Sequence, residues 1–292
     1  MLFAPEINTF IKYLEARSYF QKSNTDRLRQ NIFESDLNKL VFNIDFINTI
    51  EELIYQEHEL KDECNLFLKN LIDNEGIVSV NTGKKLETNN ADLIFEELCK
   101  FSLNNEILIG ISESKEKIDS FDNVLNINNI SPDNKNHILS KLIINEVCQI
   151  RHTDLIQKAD IINLLNHVYS IYNKIENVII IDRQCNLNHN LYDFLIDKSI
   201  NFKYYTLKIS TLDANSIKRK FTNYEIFNTN NNDLIHERVL ILNNIIITMD
   251  EDPFNIVHRD TWIITIEYSE KTSRKILAEK CSLFNTTLFK SK

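Results

Sequence analysis

The chain has 292 residues, 43% of them hydrophobic and 26% charged, enough to bury a core and to build one large domain or two ordinary ones. Only three glycines are present, which excludes a P-loop or a Rossmann glycine motif. The formal net charge is -9, and because residues 175–292 balance acids and bases, the excess sits in residues 1–174, which disfavours a general nucleic-acid-binding face.

Residues 6–75 read as helical, with apolar residues at three- and four-residue spacing such as Ile7, Phe10, Ile11 and Leu14. Asn74-Glu75-Gly76 breaks that pattern. A short strand is expected at Ile77–Val80, a helix over 92–102, a buried strand at Ile107–Ile111 and a neighbour at Val124–Ile127. Ser131-Pro132-Asp133 starts a helix, and helices are expected over 133–150 and 154–173. From there the character changes. Val178–Asp182 is an apolar run ending in an acid, typical of a buried strand. A helix follows around 191–195, then strands at 202–209, 238–249 and 261–268, and a last helix over roughly 270–284. The fold class is therefore α/β: a helix-rich region with a small sheet over 1–173, followed by a mixed sheet flanked by helices over 174–292.

The five cysteines are scattered without a C-x-x-C pair, which suits reduced thiols in a cytoplasmic protein. No secretory leader is expected after Met1–Pro5, and no apolar run reaches the ~18 residues that cross a bilayer. Lys218-Arg219-Lys220 is the densest basic cluster and reads as a solvated loop or helix end. His167 reads as a packed helical histidine, His152 and His189 lack ligand spacing, and Trp262 reads as core.

Two stretches carry chemistry. The first is His236-Glu237-Arg238 followed by an apolar strand and Asn243. Phospholipase-D-type enzymes place H-x-K-x-x-x-x-D there: the His attacks a phosphodiester, the Lys neutralises phosphate oxygens and the Asp orients the group. Here Arg238 stands at the Lys position and Asn243 at the Asp position. An arginine fork still binds phosphate, but Asn243 cannot carry the acid's charge. With a single copy, a two-histidine site would need a homodimer. Asp182 either orients His236 or caps the next turn, and Arg183 could add to an anion pocket. The second stretch is Glu113-Ser114-Lys115 after the strand at 107–111. An E-x-K at a strand end, with Asp92 upstream, matches metal-dependent nuclease chemistry in which two carboxylates hold Mg²⁺ and the lysine positions the attacking water. A solvated strand end is the alternative.

Ile181-Asp182, Asn190–Leu195, and Leu234–Arg238 with the Asn243-Asn244 turn together make residues 178–292 similar to the phospholipase-D-like domain at the C-terminus of microtubule-interacting-and-trafficking proteins. The family's glycine-rich segment is replaced by Asp250-Glu251-Asp252-Pro253-Phe254. The resemblance implies a dimerising, mostly non-catalytic module that engages protein partners. Related single-copy modules occur in bacterial antiphage defence systems. The first expectation is thus an interaction subunit of a larger assembly without a cofactor, through which nucleic acid could be reached. The alternative is a nuclease, acting through paired His236/Arg238 or through Mg²⁺ at Asp92, Glu113 and Lys115.

Overall fold

The computed structural model describes residues 1–17, 21–35, 38–55, 58–80, 90–101, 107–119, 121, 123–130, 135–145, 147–151, 158–172, 174–184, 195, 199–228, 238–249, 263–268, 275–276, 279 and 286–290. The chain divides into two compact units: Met1–Ile144 with Ser170–Asn173, and Asn145–Tyr169 with Lys174–Lys292. Both combine helices and sheet, so the α/β class holds.

The first unit is built on five parallel strands: β1 (Leu2–Pro5), β2 (Lys39–Phe42), β3 (Ile77–Ser79), β4 (Leu108–Ser112) and β5 (Val124–Asn126). Their order across the sheet is β3-β2-β1-β4-β5. β1, β4 and β5 are buried at every residue, as expected of strands covered on both faces. Helices α1 (Ile7–Arg17) and α2 (Asn24–Glu34) join β1 to β2. Helices α3 (Ile44–Leu53) and α4 (His58–Asp73) join β2 to β3, and α5 (Ala91–Lys100) leads into β4. Side-chain caps start several of them: Ser23 forms a capping box with Asp26, Asn43 caps Phe46 N–H, and Asn90 caps Asp92 N–H. Phe10 anchors one face of the core, with ring centroids 5.6 to 5.8 Å from Phe33, Phe42, Phe46 and Phe67. On β4, Gly110 lets α5 approach: a Cβ there would lie 2.8 Å from Cys99 Sγ and 3.1 Å from the Phe95 ring.

Two stretches that read as continuous helix are interrupted. β2 lies inside the helical reading of 6–75, and β1 precedes it. The helix expected over 133–150 is α6 (Lys135–Asn145) followed by a strand, β6 (Val147–Arg151). β6 pairs antiparallel with a strand of the second unit, which explains why 145–169, including α7 (Lys158–Tyr169), belongs there.

The second unit holds an eight-stranded mixed sheet. Beside β6 it comprises β7 (Asn177–Gln184), β8 (Asn201–Lys208), β9 (Asn223–Asn228), β10 (Arg238–Leu242), β11 (Ile245–Met249), β12 (Ile263–Tyr268) and β13 (Thr286–Lys290). The order is β13-β9-β8-β7-β10-β11-β12-β6. β7, β8 and β9 run parallel to one another, β13 pairs antiparallel with β9, and β10, β11, β12 and β6 form an antiparallel series beside β7. The apolar stretch 238–249 is a hairpin rather than one strand, turning at Asn243 with φ 49°. One face packs Ile179, Ile181, Tyr205, Leu207, Val239, Ile241 and Ile246 together.

Strands β9 and β13 lie where no strand was expected, and of helix α8 (Thr211–Lys220) only its end at Lys218-Arg219-Lys220 was read as a possible helix end. α8 is capped by Ser210, and Lys218, Arg219 and Lys220 form its last turn, where positive charge complements the helix dipole. Of the helix expected at 191–195 only Leu195 is described, and the helix expected over 270–284 lies almost wholly outside the described residues. Among the described residues no helix is long and apolar enough to cross a membrane.

Candidate functional site

In the first unit the strand order reverses between β1 and β4, and open parallel sheets hold ligands outside the strands' carboxyl ends at such a point. The residues leaving β1, β4 and β5 there are Glu6, Ser112 and Asn126. Glu6 N–H donates to Ile111 O at 2.8 Å, and Ser112 is paired with Asn126. All three are buried. The Glu6 carboxylate accepts from Ser112 Oγ at 2.8 Å and from Glu113 N–H at 3.1 Å. Ser112 Oγ in turn accepts from the backbone of Ser114 and Lys115, which shapes the loop after β4.

Glu113 sits just beyond β4 and is held by three side chains. Arg29 of α2 donates Nε to Oε1 at 3.0 Å and Nη2 to Oε2 at 2.9 Å, a bidentate fork. Lys12 of α1 reaches Oε2 at 3.2 Å, and Asn128 Nδ2 donates to the same oxygen at 3.0 Å. The remaining arm of Arg29 donates to Asp26 at 2.6 Å, and Ser23 donates to Asp26 through both N–H and Oγ. The Arg29 and Glu113 side chains are 7% and 9% exposed, so this network is largely out of water. Burial by itself pushes both carboxyl pKa values up. For Glu113, the hydrogen bonds and charge of Arg29, then Lys12, outweigh it and hold the pKa below the usual range. For Asp26, hydrogen bonds from Ser23 and then the charge of Arg29 do the same.

The other two members of the expected metal triad lie apart from this network. Lys115 Nζ pairs with Asp92 at 2.6 Å, with Asp92 63% exposed in the first turn of α5. The Lys115 ammonium also lies 5.8 Å from the Phe95 ring centroid. Each carboxylate therefore has its own cationic partner, and a divalent ion could reach Glu113 only by displacing Arg29 and Lys12. Asp92, Glu113 and Lys115 do not fit Mg²⁺ in this arrangement. Among the described residues no cluster of three or more His, Cys, Asp or Glu could hold a metal ion.

In the second unit, the antiparallel register of β7 and β10 brings Arg238 to Asp182. Arg238 Nε lies 3.0 Å from Asp182 Oδ1, with side chains 20% and 11% exposed. Tyr204 Oη of β8 approaches the other carboxylate oxygen at 3.5 Å. Asp182 thus serves Arg238, a role not among those read from the sequence, while Arg183 is exposed. Asn243 is at the opposite end of β10. Its Oδ1 accepts from Glu176 N–H at 3.1 Å and Asn177 N–H at 3.0 Å, and its Nδ2 donates to Lys174 O at 3.1 Å. The expected grouping of Arg238 with Asn243 does not form, because a whole strand separates them. Asn243 ties the hairpin turn to the segment before β7. His236, His152, His189, Trp262 and the 250–254 segment lie outside the described residues; His167 is in the last turn of α7.

Reading the sequence missed Glu6, Lys12, Asp26, Arg29 and Asn128. The one local signal was the Ser23-x-x-Asp26 capping box. Arg29 and Glu113 are 84 residues apart, and no spacing rule links them.

No family model matches the chain, and no curated protein matches it. Among solved structures, the phospholipase D family member Nuc from Salmonella typhimurium is similar over 48% of this chain and 95% of its own, with 8% identity and a TM-score of 0.35. TrmBL2, an archaeal chromatin protein with a novel mode of DNA binding, is similar over 52% of this chain and 57% of its own, with 10% identity and a TM-score of 0.33. Both likenesses are distant.

Proposed function

We propose that the chain is a non-catalytic interaction subunit of a larger assembly, with a degenerate phospholipase-D-like module in its second unit that engages a second copy or another protein. The observation that carries this reading is the Arg238–Asp182 ion pair. At the position where phosphodiester chemistry needs a cation facing the substrate, the guanidinium is already neutralised by a buried carboxylate of the same sheet. Asn243, at the motif's acid position, is spent on three hydrogen bonds that hold a turn. Dimerisation and the antiphage setting come from the family resemblance of residues 178–292.

The second reading is nuclease activity at the carboxyl edge of the first unit's sheet. The placement of Glu6, Ser112 and Glu113 at its switch point favours it, but Glu113 would have to leave Arg29 and Lys12 to bind a metal ion. The two readings separate in one experiment. Purified protein is incubated with labelled single- and double-stranded DNA and RNA, with Mg²⁺ or with EDTA, and its mass in solution is measured by light scattering. The subunit reading expects no cleavage and a dimeric mass. Cleavage abolished by EDTA and by Glu113→Gln overturns it in favour of the first unit. EDTA-resistant cleavage abolished by His236→Ala overturns it in favour of phospholipase-D chemistry.

A further inference from the structure

Helices α3 and α4 meet at a corner of the first unit where acidic and apolar side chains face water together. Glu51, Glu52 and Leu53 end α3, and its last turn holds no basic residue. A helix C-terminus carries partial negative charge, so two carboxylates there are unfavourable within the chain itself. Leu53 and Tyr55 flank the buried Ile54 and are 56% and 68% exposed. The start of α4 closes the corner: Lys61 Nζ lies 5.2 Å from the Tyr55 ring centroid. Burial first, then the charge of Glu51, pushes the Cys64 thiol up to about 11, which sets Glu51 beside α4. Glu59 and Asp62 are exposed on the same turns of α4. The acids Glu51, Glu52, Glu59 and Asp62 thus accompany two exposed apolar side chains, against Lys61 among the described bases of the corner. A local preference broken in this way points to a use outside the fold.

The second unit carries the complement on α8. Asp213, Ala214 and Ile217 form the buried side of that helix. Leu212, Asn215, Ser216 and Arg219 therefore share the opposite stripe, at the spacing of one helix face. Leu212 is 74% exposed, the most of any large apolar side chain among the described residues. Lys218 and Arg219 are exposed about 10 Å further along the axis. One face of α8 thus offers an apolar side chain followed by two positive charges.

The two patches match in both respects. Leu212 would cover apolar area at Leu53 and Tyr55, and Lys218 and Arg219 would meet carboxylates that the end of α3 itself disfavours. Because one chain carries both patches, the fitting partner is a second copy. We propose that α8 of one copy docks on the α3–α4 corner of another, with Leu212 against Leu53 and Tyr55 and with Lys218 and Arg219 against Glu51, Glu52 and Asp62. Two different patches make a heterologous contact, so copies join head to tail, as a ring or a filament. A single helix on a corner buries less than a standard interface, so the contact is a weak one. It uses no residue of the carboxyl-edge network or of the Arg238–Asp182 pair, and it holds whether or not the second unit also dimerises through its phospholipase-D-like module.

The test is sedimentation velocity of the full chain at low and at high salt. Mass is expected to rise with protein concentration, with a dissociation constant of ~10–100 µM, and to fall at high salt, where exposed charges are screened. Two charge reversals follow at exposed positions: Glu51→Lys with Glu52→Lys, and Lys218→Glu with Arg219→Glu. Each is expected to weaken association at least ~10-fold by itself, with thermal unfolding close to that of the unaltered chain. An equimolar mixture of the two is expected to associate again, because the acidic α8 of one then faces the basic corner of the other. Leu212→Ser is expected to weaken association at both salt concentrations. The proposal is overturned if mass does not rise with concentration, if either reversal associates like the unaltered chain, or if the mixture stays as small as its components. A mass fixed at that of a dimer in every variant also overturns this contact, while leaving the subunit reading in place.

Discussion

The two units handle charge differently, and the contrast follows from how their strands run. In the first unit every strand is parallel, so every strand delivers its outgoing loop to the same edge. Glu6, Ser112, Glu113, Asn126 and Asn128 collect there, and α1 and α2 add Lys12, Asp26 and Arg29. The outcome is a buried, multiply connected network. In the second unit the motif lies along one strand, β10, so its two ends are carried to opposite edges, and the antiparallel pairing with β7 brings Asp182 to the Arg238 end. Arg238 meets Asp182 at one edge, Asn243 caps a turn at the other, and each arrangement is small and local. A parallel sheet with its loops on one edge concentrates polar residues distant in sequence, whereas residues at the two ends of a single strand are dispersed to opposite edges.

The contrast can be broken by removing the arginine from each unit. Arg29→Ala leaves Asp26 without its cation and Glu113 with only the half-exposed Lys12, and is expected to destabilise the first unit by about 3–5 kcal/mol. Arg238→Ala removes one partly exposed pair and is expected to cost about 1–3 kcal/mol. Urea unfolding followed by amide hydrogen exchange reads the two units separately; equal losses would show that network and lone pair contribute alike. Next in size, Asn243→Ala places a β-carbon residue without a capping amide at φ 49° and is expected to cost about 2 kcal/mol. Asn243→Gly should recover the backbone part of that loss and not the hydrogen-bonded part, so a glycine variant as stable as the original would remove the side chain from the account.

The smallest effect sharpens the picture of the network through pH. Because the folded-state pKa values of Glu113 and Asp26 lie below their unfolded values, their contribution is complete above about pH 5. It is lost as pH falls through the ordinary carboxyl range toward the depressed folded values, with a slope of at most about 1.4 kcal/mol per pH unit for each proton taken up. Stability of the first unit should therefore decline on acidification below that range, and Glu113→Gln should flatten the decline. An unchanged slope in Glu113→Gln would place the titrating groups elsewhere.

Much of this architecture was legible along the chain. The apolar runs Ile107–Ile111 and Val178–Asp182 announced buried strands, whereas the change of character near residue 174 missed β6, which belongs to the second sheet. The strands that escaped, β1, β2, β6, β9 and β13, are four to six residues long. In so short a run an apolar pattern fits one face of a helix as well as a strand, and only the neighbouring strand's open backbone groups decide. The same holds for the candidate sites. The residue types Glu113, Lys115, Asp92, Arg238 and Asn243 were readable, and so was the chemistry each could perform. Which acid meets which base was not, since Glu113 took Arg29 rather than Lys115, and Asp182 took Arg238. The sequence by itself determined the α/β class and the inventory of charged groups, because local periodicity and residue type are local properties. Only the tertiary structure decided their pairing, because strand direction and register set which distant side chains share an edge, and burial makes that pairing obligatory.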